Sequence, residues 1–257
     1  MRFATIATLA LLACVVASAR GAGVPPPAAS AAPAPAGAPA GMQRYTLGIL
    51  YRGPAWTPER SARVDSLQRG HLANILAMFE RGALVGAGPF LDDAHVIGLF
   101  IFRCDSSAAA ALVRNDPAIG SQRFAIALLP WWAPAGIGDA YRASYHGESP
   151  ENARMERLEF AFLLRGPAWS PVETPATAAL QRAHLEHLKA LGASGALIAA
   201  GPFDGDSDLR GVLVFRADSA TARRLAADDP KVKSGWLTLD FHPWMVAAGV
   251  MPASKAR

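Results

Sequence analysis

Hydrophobic and polar positions follow one another along this chain in a fixed succession of periods. Tyr45 to Tyr51 is an apolar run of strand length, broken by Arg52-Gly53-Pro54-Ala55-Trp56. Thr57-Pro58 then marks a helix entry. From about Glu59 to Arg81 the apolar positions recur at helical spacing, and Gly82 supplies the C-cap. Ala83 to Phe90 predicts a second strand, turned by Gly88-Pro89 and Asp92-Asp93. Val96 to Phe102, rich in β-branched and aromatic residues, predicts a third. Asp105-Ser106 caps an alanine-rich helix to about Arg114, which ends at Asp116-Pro117, because a residue before proline is pushed out of the α region. Phe124 to Leu129 is the last strand, closed by Pro130-Trp131.

The succession is then written again. Leu67-Gln68-Arg69-Gly70-His71-Leu72 returns as Leu180-Gln181-Arg182-Ala183-His184-Leu185, and Ala87-Gly88-Pro89-Phe90 as Ala200-Gly201-Pro202-Phe203, each 113 positions later. Gapless recurrence at one offset is duplication. The second copy predicts strands at Leu158 to Leu164, Ala196 to Phe203, Val212 to Phe215 and Leu237 to Phe241. Its long helix runs to about Leu191, and Asp218-Ser219 opens its short one. The predicted boundaries are 43–136 for the first unit, 137–156 for a linker and 157–250 for the second unit. Each unit reads β-α-β-β-α-β, a ferredoxin-like, α+β arrangement with helices on one face of an antiparallel sheet. The other face needs cover, so the two units are expected to pack sheet against sheet as an internal pseudo-dimer, an intramolecular α+β barrel.

Composition narrows the partners. The chain is 51% hydrophobic and 18% charged, with a net charge of +4. No lysine-arginine run and no interleaving of aromatic and basic residues occurs, so nucleic acid is not an expected partner. Arg2, the apolar stretch Ala4 to Val16 and the small-residue site Ala17-Ser18-Ala19 predict a signal peptide over 1–19, and hence an exported, periplasmic or secreted protein. The stretch is too short for a membrane span. Leu11-Leu12-Ala13-Cys14 also reads as a lipoprotein box, which would anchor the chain at Cys14. Residues 20–42 are almost all Ala, Pro and Gly and predict an extended linker without core. Cys104 is the second of two cysteines, so no disulfide is expected in the mature chain.

The paired His71-Leu72 and His184-Leu185, the Ala-Gly-Pro of strand two, Asp116-Pro117 and Asp229-Pro230 and the terminal Pro-Trp pairs resemble the YCII-related domain family in order and spacing. The resemblance covers both units. It implies a dimeric α+β barrel and a histidine and aspartate regarded as an active site in the barrel cleft, on small ring-shaped or lactone-like molecules. Carried onto this chain, the site residues are His71, Asp116, His184 and Asp229. His71 lies among Val64, Leu67, Ile75 and Met78 on the apolar stripe of its helix, and His184 among Leu180, Leu188 and Leu191. Such a histidine is either a hydrogen-bonded core residue or a general base at a cleft. An aspartate before proline is equally an N-cap for the following turn.

Other candidates are weaker. Asp93 and Asp206 recur as solvated turn-formers. His184 and His187 have metal-binding spacing, but Asn74 interrupts it in the first unit, and no metal is expected. Cys104 reads as an inert buried thiol. Trp56 and Trp169 are expected to cover the barrel ends in preference to walling a pocket. No phosphate loop, Gly-x-Gly-x-x-Gly or Gly-x-Ser-x-Gly signal occurs in context, so no cofactor is expected. Two functional classes follow: a cofactor-independent acid/base enzyme of lyase or isomerase type, or a non-catalytic small-molecule-binding or structural module of the envelope.

Overall fold

The computed structural model describes residues 41–147 and 152–253. The signal peptide, the lipid motif at Cys14 and nearly all of the Pro/Ala linker lie outside them. No helix among the described residues is long and apolar enough to cross a membrane.

The first unit is β1 (Met42–Arg52), α1 (Ala62–Glu80), β2 (Leu84–Pro89), β3 (Val96–Phe102), α2 (Ser106–Val113), α3 (Pro117–Gly120) and β4 (Phe124–Pro134). After α4 (Asp139–Ser144) the second unit repeats the order: β5 (Met155–Arg165), α5 (Pro175–Ala193), β6 (Leu197–Pro202), β7 (Leu209–Phe215), α6 (Ser219–Ala227), α7 (Pro230–Lys233) and β8 (Leu237–Ala247). The long helices α1 and α5 begin where side chains satisfy free backbone amides. Ser61 accepts from Val64 N, and Thr174 forms a reciprocal capping box with Thr177 ahead of Pro175. Gly82, at φ 76°, follows the C-cap Arg81 in the left-handed conformation that ends α1.

The sheets are antiparallel, with orders β2-β3-β1-β4 and β6-β7-β5-β8. Their inner faces share one core. Tyr45, Leu47 and Ile49 from β1 meet Leu158, Phe160 and Phe162 from β5, with Trp131 and Trp244 fully buried among them. The outer faces carry the helices: in the first unit Leu50, Phe100 and Phe102 pack against Met78 of α1 and Ala109 and Leu112 of α2. The edges of the sheets also meet. Phe90 bridges Trp244 and Phe203 bridges Trp131, while Leu91 N donates to Pro243 O (2.8 Å) and Asp204 N to Pro130 O (3.0 Å). The expected α+β barrel is the observed architecture.

Three local expectations are corrected. β4 and β8 do not close at Pro130 and Pro243 but run four residues further in each unit. Both prolines tolerate this because their polar edge faces the seam, where their carbonyls accept across it and no ladder donor is lost. Gly88 and Gly201 are not turn residues. A Cβ at Gly88 would lie 1.8 Å from Met245 O, and at Gly201 1.7 Å from Trp132 O, so the bare backbone lets the opposing strand approach. The indoles seal the same place: Trp244 Nε1 donates to Gly88 O and Trp131 Nε1 to Gly201 O, both at 3.2 Å. Finally, the predicted linker contains a helix, α4, which packs on the first unit.

Candidate functional site

His71 enters the interior from the middle of α1, and Asp116 is the N-cap of α3. Their side chains meet, with Nδ1 2.7 Å from Asp116 Oδ2. The other oxygen of Asp116 accepts from Ala118 N (2.9 Å) and Ile119 N (3.3 Å), and Asn74 Nδ2 approaches Oδ2 at 3.4 Å. The cap role and the pairing role thus use different oxygens of one carboxylate. Burial pushes this carboxyl upward, but the bond to His71, its charge and the two backbone amides outweigh burial and hold the pKa below the usual carboxylate value. An ionised Asp116 fixes the proton of the imidazole on Nδ1, which leaves the lone pair of the neutral ring on Nε2. The ring is stacked on Phe100 (5.7 Å between centroids, 20°) and set edge-on to Phe124 (5.2 Å, 79°).

This pair does not lie inside the barrel, as the resemblance implied. It lies between α1 and the outer face of the sheet, because Phe100 belongs to the helix-side core. A cavity of about 510 Å³ opens there, lined by His71 with Leu72, Ile75, Phe79, Phe100 and Phe124. No described residue bonds His71 Nε2, so that atom is left to the cavity. The far wall is α4. Tyr141 and Tyr145 pack on Phe79 with centroids 5.3 and 4.9 Å away, and Arg142 stacks over the same ring at 4.2 Å. Arg142 Nη2 also donates to Phe79 O, a cation at the C-terminal end of α1, whose own last turn has no basic residue.

The mouth carries Arg52, Trp56 and Arg123. Trp56 therefore lines the cavity instead of covering a barrel end. Arg52 pairs with Asp93 and lies 4.2 Å over the Trp56 ring. Asp93 and, in the second unit, Asp206 are thus ion-pair partners of the arginine after the first strand, not merely solvated turn-formers. Asp92 also lines the cavity and holds His242 Nδ1 of the second unit at 2.8 Å. His242 has no histidine counterpart, since the first unit carries Leu129 at that position. It is buried against Phe90 and Phe162, and its Nε2 lies 3.2 Å from Asp240 Oδ2, in poor alignment for a hydrogen bond. Burial lowers its pKa, yet the neighbouring carboxylates of Asp240 and Asp92 prevail and raise it above the usual value.

In the second unit the pair recurs, with His184 Nδ1 2.6 Å from Asp229 Oδ2 and Lys231 N donating to Asp229 Oδ1 at 2.8 Å. Its surroundings differ. Lys231, whose pKa burial lowers, stands where the first unit has Ala118, and its ammonium donates to Gln181. Lys189, Gly192 and Arg210 replace the cavity-lining Leu76, Phe79 and Ile97. His187 does not join His184 at a metal, because its Nε2 donates to Leu225 O at 3.1 Å. Cys104 is half-buried and free, and burial with the charge of Asp105 pushes its thiol up to about 11, far from a thiolate nucleophile.

Residues 167–239 match the family model of the YCII-related domain. No curated protein matches the sequence. Among solved structures, the chain is similar to a protein provisionally named a chlorite dismutase, at TM-score 0.51 and 12% identity, over 82% of this chain and 95% of that one. It is also similar to a variant chlorite dismutase from Candidatus Nitrospira defluvii, at TM-score 0.49 and 13% identity, over 81% of this chain and 92% of that one. At such identities the likeness is one of fold. The second unit thus carries a match to the YCII-related domain over residues 167–239, and both units together form an α+β barrel within one chain.

Proposed function

We propose that the first unit is a cofactor-independent acid/base enzyme of lyase or isomerase type, acting on a small organic molecule bound under α1. One observation carries this reading: a histidine whose Nδ1 is held by a depressed-pKa carboxylate presents Nε2 to an apolar cavity of about 510 Å³. His71 takes a proton from carbon at Nε2 and returns it, to another carbon in an isomerisation or to solvent in an elimination. Asp116 is a positioning residue that fixes the tautomer and stabilises the imidazolium while the proton is held. His184 and Asp229 serve the second unit as a non-catalytic tie between its long and short helices, the structural alternative; Lys189, Gly192 and Arg210 at the positions of the cavity-lining Leu76, Phe79 and Ile97 favour it.

The test is carbon–deuterium exchange by NMR, in heavy water, on a panel of unsaturated lactones, cyclic enones and 1,3-diketones. One or more of these should exchange with the native protein. The rate should fall roughly 100- to 10,000-fold in His71→Ala and in Asp116→Asn, and stay within about threefold in His184→Ala. Exchange that persists in His71→Ala, or that never exceeds the protein-free rate for any compound, removes the enzymatic reading.

The protein is further proposed to work outside the cytoplasm, on the strength of Ala4 to Val16 and Ala17-Ser18-Ala19. Mature protein from the envelope or medium should begin at Arg20. A fatty-acylated Cys14 as the first residue would replace cleavage with anchoring.

A further inference from the structure

The charged groups on the cavity wall are matched one by one, with a single exception. His71 is paired with Asp116, Arg52 with Asp93, and Asp92 with His242. Arg123 has no carboxylate partner among the described residues. Its guanidinium donates to Thr57 O at 3.0 Å and to Thr57 Oγ1 at 3.5 Å, which uses two of its five N–H groups and aims the rest. It is half-buried at the mouth, 5.9 Å from the centroid of the Trp56 ring.

The backbone supports this placement at a cost. Gln122, just before Arg123, has φ 60°, the left-handed region that side chains other than glycine rarely enter. The carbonyl of Gln122 accepts from Ala55 N at 3.0 Å and that of Arg123 from Gly53 N at 2.8 Å, so the turn is clamped to the loop bearing Trp56. The second unit has Gly235 and Trp236 at the equivalent positions. There glycine removes the strain, and the cation is absent. The unpaired arginine therefore belongs to the unit with the cavity.

We infer that Arg123 is the specificity-determining residue of this site and that its ligands are flat, apolar ring compounds bearing a carboxylate. The inference rests on the proposed reading of the cavity as a substrate site. Phe100, Phe124, Phe79 and Tyr141 supply aromatic walls for a ring, and a guanidinium fork with no protein carboxylate to satisfy it matches a planar carboxylate in two hydrogen bonds. The acid anchors at the mouth and the ring extends inward toward His71.

The test compares naphthalene-2-carboxylate with its neutral isostere naphthalene-2-carboxamide by calorimetric titration into the full mature chain at pH 8. The native protein should bind the carboxylate at least tenfold more tightly. That preference should fall below threefold in Arg123→Gln, be partly retained in Arg123→Lys, and remain intact in Arg165→Gln of the second unit. Equal binding of both compounds, no binding of either, or a preference that survives Arg123→Gln would each overturn the inference. A preference lost in Arg123→Gln and in Arg165→Gln alike would overturn it too, by showing a general charge effect. The deuterium-exchange panel uses neutral carbon acids, so the His71 reading can stand when this one fails, and can fail while it stands.

Discussion

The two units are alike where they touch each other and unlike where they face outward. At the seam, Gly88 under the Met245 carbonyl is matched by Gly201 under that of Trp132, and each tryptophan donates across to the opposite glycine at the same 3.2 Å. On the helix side the histidine–aspartate tie is shared, but the side chains around the histidine are not. In the first unit the histidine looks onto an apolar cavity closed by Tyr141 and Tyr145, whereas the second places Lys189 and Arg210 where the first has the cavity-lining Leu76 and Ile97. Duplicated surfaces stay matched where each is the other's partner, since a change on one side must fit an unchanged surface on the other. Nothing imposes that constraint on the outer faces. The segment between the units could pack on one of them, and α4 covers the first.

The comparison can be broken most severely at the seam. Gly88→Ala and Gly201→Ala each drive a methyl into a backbone carbonyl that cannot rotate away, and each should cost about 3 kcal/mol or more in urea denaturation, to a similar extent. A clearly milder effect at one of them would show that the seam is not symmetric. Next come Asp116→Ala and Asp229→Ala. Each removes a helix cap and strands a buried histidine, at a cost of about 2 to 4 kcal/mol. Equal losses would mean the tie is structural in both units, leaving the deuterium-exchange rate to tell the units apart.

A smaller effect depends on pH. His242 has a raised pKa in the folded protein, so its pairing with the carboxylates of Asp92 and Asp240 contributes fully below the usual histidine value of 6.5 and is lost as the pH rises through the folded value. The melting-temperature penalty of His242→Leu, the residue that the first unit carries as Leu129, should therefore be larger at pH 5.5 than at pH 8.5. A penalty that grows with pH would contradict the assigned charge. Smallest is the exchange at the mouth. Gln122→Gly should leave stability unchanged or raise it by up to about 1 kcal/mol, and Gly235→Gln should lower it by a similar amount.

Much of the fold was legible because its signals are local and written twice. Val96 to Phe102 was read with both ends correct, and Asp105 and Asp218 were read as caps. Pro130 and Pro243 misled because a proline breaks a strand only when its missing N–H was needed, and need depends on which strand lies alongside. Ala-Gly-Pro looked like a turn for the same reason: its purpose is a neighbour more than 150 residues away, in Met245 for Gly88. The pairing of His71 with Asp116 came from the family resemblance, and their distance agrees with it. Their place on the helix side of the sheet did not follow from that resemblance. His242 has no repeat counterpart, so the duplication gives no signal for it, although an asymmetric residue is where two copies can differ in function.

The sequence by itself determined the duplication, the order of strands and helices, and the recurrence of one histidine and one aspartate in each unit, while their pairing was implied by the family resemblance. Those features depend on periodicity and on residues close along the chain or repeated at one offset. Only the tertiary structure decided that α4 walls one side of the cavity, that Arg123 has no carboxylate partner among the described residues and that His71 opens onto an apolar space. A cavity is the volume that side chains from several distant segments fail to fill, and no single segment records that sum.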